Sequence, residues 1–185
     1  VRSIFAVEPF LRWAAVNVLI GGWDNYFATP GNYYLYNSTR TPGSRDVVGE
    51  PFFTLIPWDY DNSFGMDYFG ARWQDTDLLD WPANTEAYWR FNSGQSKRTR
   101  LPLLQNLLQN TEFRTYYLEQ VTGLLDTVFQ PSAVDAALAG LWPRVATSAY
   151  LESDTPHGAP FTHRQYTNDE VYRNAFLQWE IRRGD

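Results

Sequence analysis

The stretch LIPWDYDNSFG, residues 55–65, does most to determine how this chain folds. Its first residues complete the apolar run FFTLI, residues 52–56, which is typical of a β-strand. Proline, asparagine, serine and glycine then indicate a loop, which carries two aspartates, Asp59 and Asp61. The sequence therefore predicts an acidic loop directly after a strand.

A second polar loop lies upstream in DNYFATPGNYYLYN, residues 24–37. Residues 32–36 predict a short aromatic strand, so the two strands can pair as a hairpin with residues 37–51 as its connection. In such a hairpin the start of the first strand lies beside the end of the second. Four side chains are then expected to converge: Asp24, Asn32, Asp59 and Asp61.

Three carboxylates and an amide in one place favour a bound cation, because like charges repel unless they are neutralised. The set has only oxygen ligands and no histidine or cysteine, which favours Mg²⁺ or Mn²⁺. The four side chains therefore predict a site for such a cation.

The remaining elements are mostly helical. The pattern of apolar residues predicts a helix that begins near Glu8 or Pro9 and ends before Gly21 and Gly22. Residues 66–95 predict a long irregular segment, whose aromatic part is expected to supply core rather than a sugar-binding surface. Four helices follow in the prediction: residues 101–110, residues 112–129 capped by Thr111, residues 132–151 capped by Ser132 with a kink at Pro143, and residues 168–183.

Composition excludes several classes of protein. The net charge of −6 and the pI near 4.9 argue against nucleic acid as a partner, since phosphate binding needs a basic surface. No apolar run reaches the roughly 18 residues that would predict a membrane span. The chain has no cysteine, which excludes disulfides and thiolate chemistry.

The order of the two loops is the order found in phosphoryl-transfer enzymes of the protein-kinase type. There a catalytic-loop aspartate and a metal-binding asparagine precede a small hairpin, and a metal-binding aspartate follows it. Here Asn32 follows Asp24 by eight residues, and Gly22-Trp23 precedes Asp24 in place of His-Arg. The motif of a standard protein kinase is therefore absent.

The two quoted stretches resemble the signature of the CotH (spore-coat protein H) kinase family, which has an atypical protein-kinase-like fold and phosphorylates spore coat proteins. The resemblance is sharp over residues 24–65 and extends to the order of elements over most of the chain. It implies that Asp24 is the catalytic-loop aspartate. It also implies that Asn32 and Asp59 hold the metal ions that bind the nucleotide, with Asp61 as a further ligand or a structural partner.

The resemblance gives the predicted fold class: α+β, mostly helical, similar to a protein-kinase C-lobe with a small two-stranded hairpin. Kinase-like enzymes hold the phosphates with a lysine and a glycine-rich loop upstream of the catalytic loop. Only 23 residues precede Asp24 and none is lysine, because Lys97 is the only lysine in the chain. We therefore expect residues 1–185 to be a single partial domain that lacks the N-terminal lobe.

The function predicted from these residues is ATP- and metal-dependent phosphoryl transfer to serine or threonine hydroxyls of a protein. The expected partners are ATP, Mg²⁺ or Mn²⁺ and a protein substrate, and the resemblance implies a spore-coat, cell-surface or secreted location. Two alternatives remain open. One is an inactive pseudokinase or structural coat protein, and the other is a carbohydrate-active module in which Asp24 and Asp59 form a carboxylate pair.

Overall fold

The computed structural model describes residues 1–29, 31–38, 51–64, 73, 77–79, 81, 94 and 101–153. The chain divides into two compact units, Val1–Thr122 and Gly123–Asp185, and both acidic loops belong to the first. Three parts of the prediction lie outside the described residues: Gly65, Lys97 and the helix predicted at residues 168–183.

Helix α1, Val7–Ile20, supplies much of the buried core of the first unit. Pro9 lies in its first turn, where the missing N–H would have no helical partner in any case. The helix ends as predicted, at Gly21, which has φ 64° and whose N–H bonds the carbonyls of Asn17 and Val18. That left-handed conformation suits glycine because it has no Cβ. One face of the helix is buried through Phe10, Leu11, Ala14, Ala15 and Val18.

The predicted hairpin is confirmed with each strand displaced by one residue. Strand β1, Tyr33–Asn37, pairs antiparallel with β2, Phe53–Pro57, and Tyr33 faces Pro57. The start of β1 therefore lies beside the end of β2. The segment before α1 forms a single parallel bridge to β2 at Phe5 and Phe53. The Phe53 N–H donates to the Ile4 carbonyl at 2.8 Å, and the Phe53 carbonyl accepts the Ala6 N–H at 2.9 Å.

A stack of aromatic rings fills the core beside α1. Trp23 lies against Trp73 with ring centroids 5.6 Å apart, and Trp73 lies against Trp81 at 5.9 Å. Phe27 contacts Trp81 at 4.6 Å. Trp73 and Trp81 are almost fully buried, so these two residues of the aromatic segment supply core, as predicted.

Three further helices are described: α2, Pro102–Gln109; α3, Thr111–Asp126; and α4, Pro131–Ser153. The two predicted caps are wrong. Asn110 caps α3 because its Oδ1 accepts the N–H of Phe113 at 3.2 Å, and Thr111 is already helical. Helix α4 begins at Pro131, whose fixed φ suits the first helical position, with Ser132 inside the helix.

The described residues thus confirm an α+β class, with four helices and a two-stranded antiparallel sheet. The likeness to a kinase C-lobe and the single partial domain stay predictions. Within the described ranges, no helix has both the length and the apolar character that a membrane crossing requires.

Candidate active site at the acidic loops

Asp24 lies half-buried in the loop after α1, and other side chains hold its carboxylate. Thr29 donates its hydroxyl to Oδ1. Asn32 donates its amide to Oδ2 at 3.2 Å and to the Asp24 carbonyl at 2.8 Å. Asn62 donates to Oδ2 at 3.1 Å. Hydrogen bonds to a carboxylate are charge-assisted, so these donors fix the direction in which Asp24 points.

Asn62 joins the two loops and was missed in the sequence. Its amide reaches Asp24, and its carbonyl accepts the N–H of Trp23 at 3.4 Å. Two residues later, the N–H of Phe64 donates to the carbonyl of Ile20 at 2.6 Å. The loop after β2 is therefore pinned along the end of α1. The only feature of the sequence that pointed to Asn62 was its position directly after Asp61.

Asn32 lies where the predicted convergence requires it. Its backbone has φ 53°, a left-handed conformation that asparagine tolerates better than most residues. Its carbonyl accepts the N–H of Trp58 at 3.1 Å, which ties the start of β1 to the acidic loop. The side-chain nitrogen is engaged by Asp24, so Oδ1 is the atom that could bind a cation.

Asp59 and Asp61 lie exposed on the loop after β2. Asp59 also has a left-handed backbone, φ 61°, in the turn between Trp58 and Tyr60. The pKa of Asp61 is raised, first because partial burial of its carboxyl disfavours the charged form. The negative charges of Asp59 and Asp24 raise it further, so the three carboxylates share one field.

Two contacts anchor the acidic loop to the body of the unit. Trp13 on α1 donates its indole N–H to the hydroxyl of Tyr60. Tyr60 is half-buried and separates Asp59 from Asp61 in the sequence. Ser63 is buried and donates to the Tyr60 carbonyl at 2.7 Å. Asp59 and Asp61 therefore project from a loop with a fixed base.

We expect Asp61→Asn to raise the thermal unfolding temperature of the chain at pH 7 in metal-free buffer. The pKa of Asp61 in the folded state lies above its unfolded value of about 3.9. At pH values above the raised pKa, the ionised carboxylate is less favourable in the folded state than in the unfolded state. This cost in folding stability falls as the pH drops through the raised pKa, and it is gone below the unfolded value. The gain from the asparagine should therefore be present at pH 7 and absent near pH 3, as measured by thermal melts with chelator.

Glu119→Gln is the matched control, because it removes one negative charge from an exposed position inside α3. Equal unfolding temperatures of Asp61→Asn and the parent chain at pH 7 would show that no repulsion is relieved.

Hard cations such as Mg²⁺ bind oxygen ligands, and the site offers carboxylate oxygens from Asp59 and Asp61 and an amide oxygen from Asn32. In the part of the chain that the structure describes, none of the three aspartates at the site forms an ion pair with lysine or arginine. Over the same described residues, no three histidine, cysteine, aspartate or glutamate side chains form a group that could hold a metal by themselves. The assignment of Asn32, Asp59 and Asp61 to metal and nucleotide binding stays a prediction.

The structure thus brings Asp24 and Asn32 into direct contact and places Asp59 and Asp61 in the same electrostatic field. Sequence reasoning missed Thr29, Asn62 and a buried pair of amides, Asn17 and Asn25. Thr29 lies inside the quoted loop and Asn62 inside the quoted motif, but neither residue type shows by itself what it contacts.

Comparison with known proteins identifies relatives of this chain. The sequence model of the CotH kinase protein family matches residues 1–175. Inner spore coat protein H of Bacillus subtilis (strain 168) is 26% identical over 139 residues, which are 75% of this chain and 30% of that protein. The chain therefore spans less than a third of the length of that relative. No solved structure matches the chain.

Proposed function

This chain belongs to the CotH kinase protein family, and on that premise we propose that it carries the catalytic and metal-binding loops of an atypical protein kinase. The reaction is transfer of the γ-phosphoryl group of ATP to a serine or threonine hydroxyl of a protein. Hydrogen bonding of Asp24 by both Asn32 and Asn62 is the observation that carries the proposal.

Asp24 serves as the base that orients the acceptor hydroxyl and takes its proton. Each carboxylate oxygen can accept two hydrogen bonds. Oδ2 accepts from Asn32 and Asn62, whereas Oδ1 accepts from Thr29 alone among the bonds that the structure describes, so Oδ1 can receive the acceptor hydroxyl. As the acceptor oxygen bonds to the γ-phosphorus, the bond to the β–γ bridging oxygen breaks, ADP leaves, and the proton passes to Asp24.

Asn32, Asp59 and Asp61 are the residues that would hold Mg²⁺ or Mn²⁺. Such a cation, when bound, neutralises charge on the phosphate oxygens. The three residues lie on two segments that the backbone hydrogen bond from the Trp58 N–H to the Asn32 carbonyl joins at 3.1 Å. Mutual repulsion among Asp24, Asp59 and Asp61 would be relieved by the cation, which favours binding.

The name of the Bacillus relative, inner spore coat protein H, supports a place in the spore coat, and a location at the cell surface or outside the cell is the alternative. A structural coat protein or pseudokinase would keep the same loops without turnover. The exposed Asp59 and Asp61 favour the enzyme, because the repulsion between their carboxylates opposes folding and is relieved when a cation binds.

The test is incubation of the full-length protein with γ-labelled ATP, with casein as a generic acceptor, in Mg²⁺, Mn²⁺ or chelator. We expect label on casein or on the protein itself with either cation and none with chelator. Label that is absent in all three conditions, from a protein that binds the cation, would favour the pseudokinase or structural coat protein. Binding to polysaccharide without any need for metal would favour the carbohydrate module.

A further inference from the structure

Two buried asparagines lie behind the loop that carries Asp24. Asn17, in the last turn of α1, is fully buried, and Asn25, directly after Asp24, is 2% exposed. Asn25 donates its amide to Asn17 Oδ1 at 2.9 Å, and Asn17 donates its own amide to the carbonyl of Gly22 at 2.8 Å. Buried amides are costly unless they are paired, so this pair selects one arrangement of the turn.

The pair fixes the backbone before and after Asp24. On one side, Gly22 is held to Asn17 twice, through the side-chain bond and through its own N–H, which donates to the Asn17 carbonyl at 3.0 Å. On the other side, Asn25 Oδ1 accepts the N–H of Phe27 at 3.1 Å. Only Trp23 and Asp24 lie between the two fixed points, and the Trp23 ring is buried.

The packing at Gly22 leaves no room for a side chain. A Cβ at this position would lie 2.5 Å from Asn17 Oδ1 and 3.4 Å from Asn25 Nδ2. The two amides therefore fit closely against the bare backbone of the turn. A small change in either amide would be passed to the turn, because close-packed interiors transmit displacement.

We propose that Asn17 and Asn25 are positioning residues that hold Asp24 in its reactive place. They do not touch the acceptor hydroxyl or the phosphates; they act through the backbone of the turn. The inference rests on the proposed function, since it assigns a role within the same reaction. The other reading is that the pair only closes the end of α1 and contributes stability.

The experiment measures phosphate transfer by the full-length protein and by Asn17→Ala, Asn25→Ala and the double variant. We expect each single variant to lower kcat by about 10- to 100-fold, since a displacement near 1 Å can cost a factor of about 100. The KM for ATP and the affinity for Mn²⁺ should stay within about threefold of the parent values, because their predicted ligands lie outside the pair. The double variant should cost about as much as either single variant, since the pair acts as a unit.

Leu104→Ala is the matched control for stability, because Leu104 is 4% exposed on α2 and belongs to the same unit. At a temperature well below its unfolding transition this variant should keep the parent kcat. Asn25→Ser is a milder variant, whose hydroxyl can still accept the Phe27 N–H but is too short to reach Asn17. It should fold and should still show the selective loss of kcat.

Retention of kcat in the asparagine variants would overturn the positioning role. A loss of activity that merely follows the folded fraction of each variant would overturn it as well. If the parent protein transfers no phosphate under any condition, the proposed function fails and this role fails with it. A transferring parent with unaffected variants refutes the positioning role alone. The two failures are therefore distinguishable.

Discussion

Replacement of Asp24 by asparagine in the full-length protein should lower phosphate transfer by about 10²- to 10⁴-fold, the range typical of losing a general base. The reason is that an amide cannot take the proton of the acceptor hydroxyl. The variant should fold, because asparagine has the same shape and its oxygen can still accept from Asn32 and Asn62. The Thr29 hydroxyl, which donates to Asp24, can rotate to accept instead. Initial rates with γ-labelled ATP and thermal melts measure the two effects.

Asp24→Ala should lose the same activity and more stability, since it removes the carboxylate that accepts from Asn62 and leaves Asn32 with the backbone carbonyl of residue 24. Glu119→Gln, which removes a carboxylate from an exposed face of α3, should retain full activity. Phosphate transfer at the parent rate by Asp24→Asn would exclude Asp24 as the base.

Asp59→Asn should weaken Mn²⁺ binding at least about tenfold and abolish measurable phosphate transfer. Loss of residues that merely support a metal ligand already costs about 10- to 100-fold, and loss of a ligand charge should cost no less. Asparagine is the sharper substitution than alanine, because the backbone at Asp59 has φ 61°, which asparagine tolerates and alanine does not. Calorimetric titration of Mn²⁺, with and without ATP, measures the affinity.

Asp59→Gly distinguishes the loss of the carboxylate from strain in the backbone. Glycine adopts the same φ freely and has no side chain that could bind the cation. If both variants lose the cation, the carboxylate is the ligand. Undiminished Mn²⁺ binding by Asp59→Asn would remove Asp59 from the metal site and leave Asn32 and Asp61 as its candidates.

The sequence by itself determined the local features of this protein. Gly21 ended α1 where it was expected, because its left-handed φ needs no side chain and no distant partner. The aromatic and apolar runs of the two strands predicted a hairpin, and the hairpin placed Asn32 beside the loop after β2. Asp24 and Asn32 therefore meet as predicted. The sequence did not decide which residue caps α3, since Asn110 and Thr111 are adjacent and both are good caps.

Only the tertiary structure decided how Asp24 is held. Asn62 reaches Asp24 across 38 residues of sequence, and Asn25 in a loop reaches Asn17 in α1 across eight. Each contact joins two different elements, so the periodicity of a single helix or strand does not predict it. An asparagine in a loop or at a helix end looks alike whether it caps a turn, faces water or pairs with another amide. Burial decides among these roles, because a buried amide must find a partner whereas an exposed one bonds to water. Burial is set by the packing of α1, the hairpin and the aromatic stack together, and no single stretch of sequence contains all three.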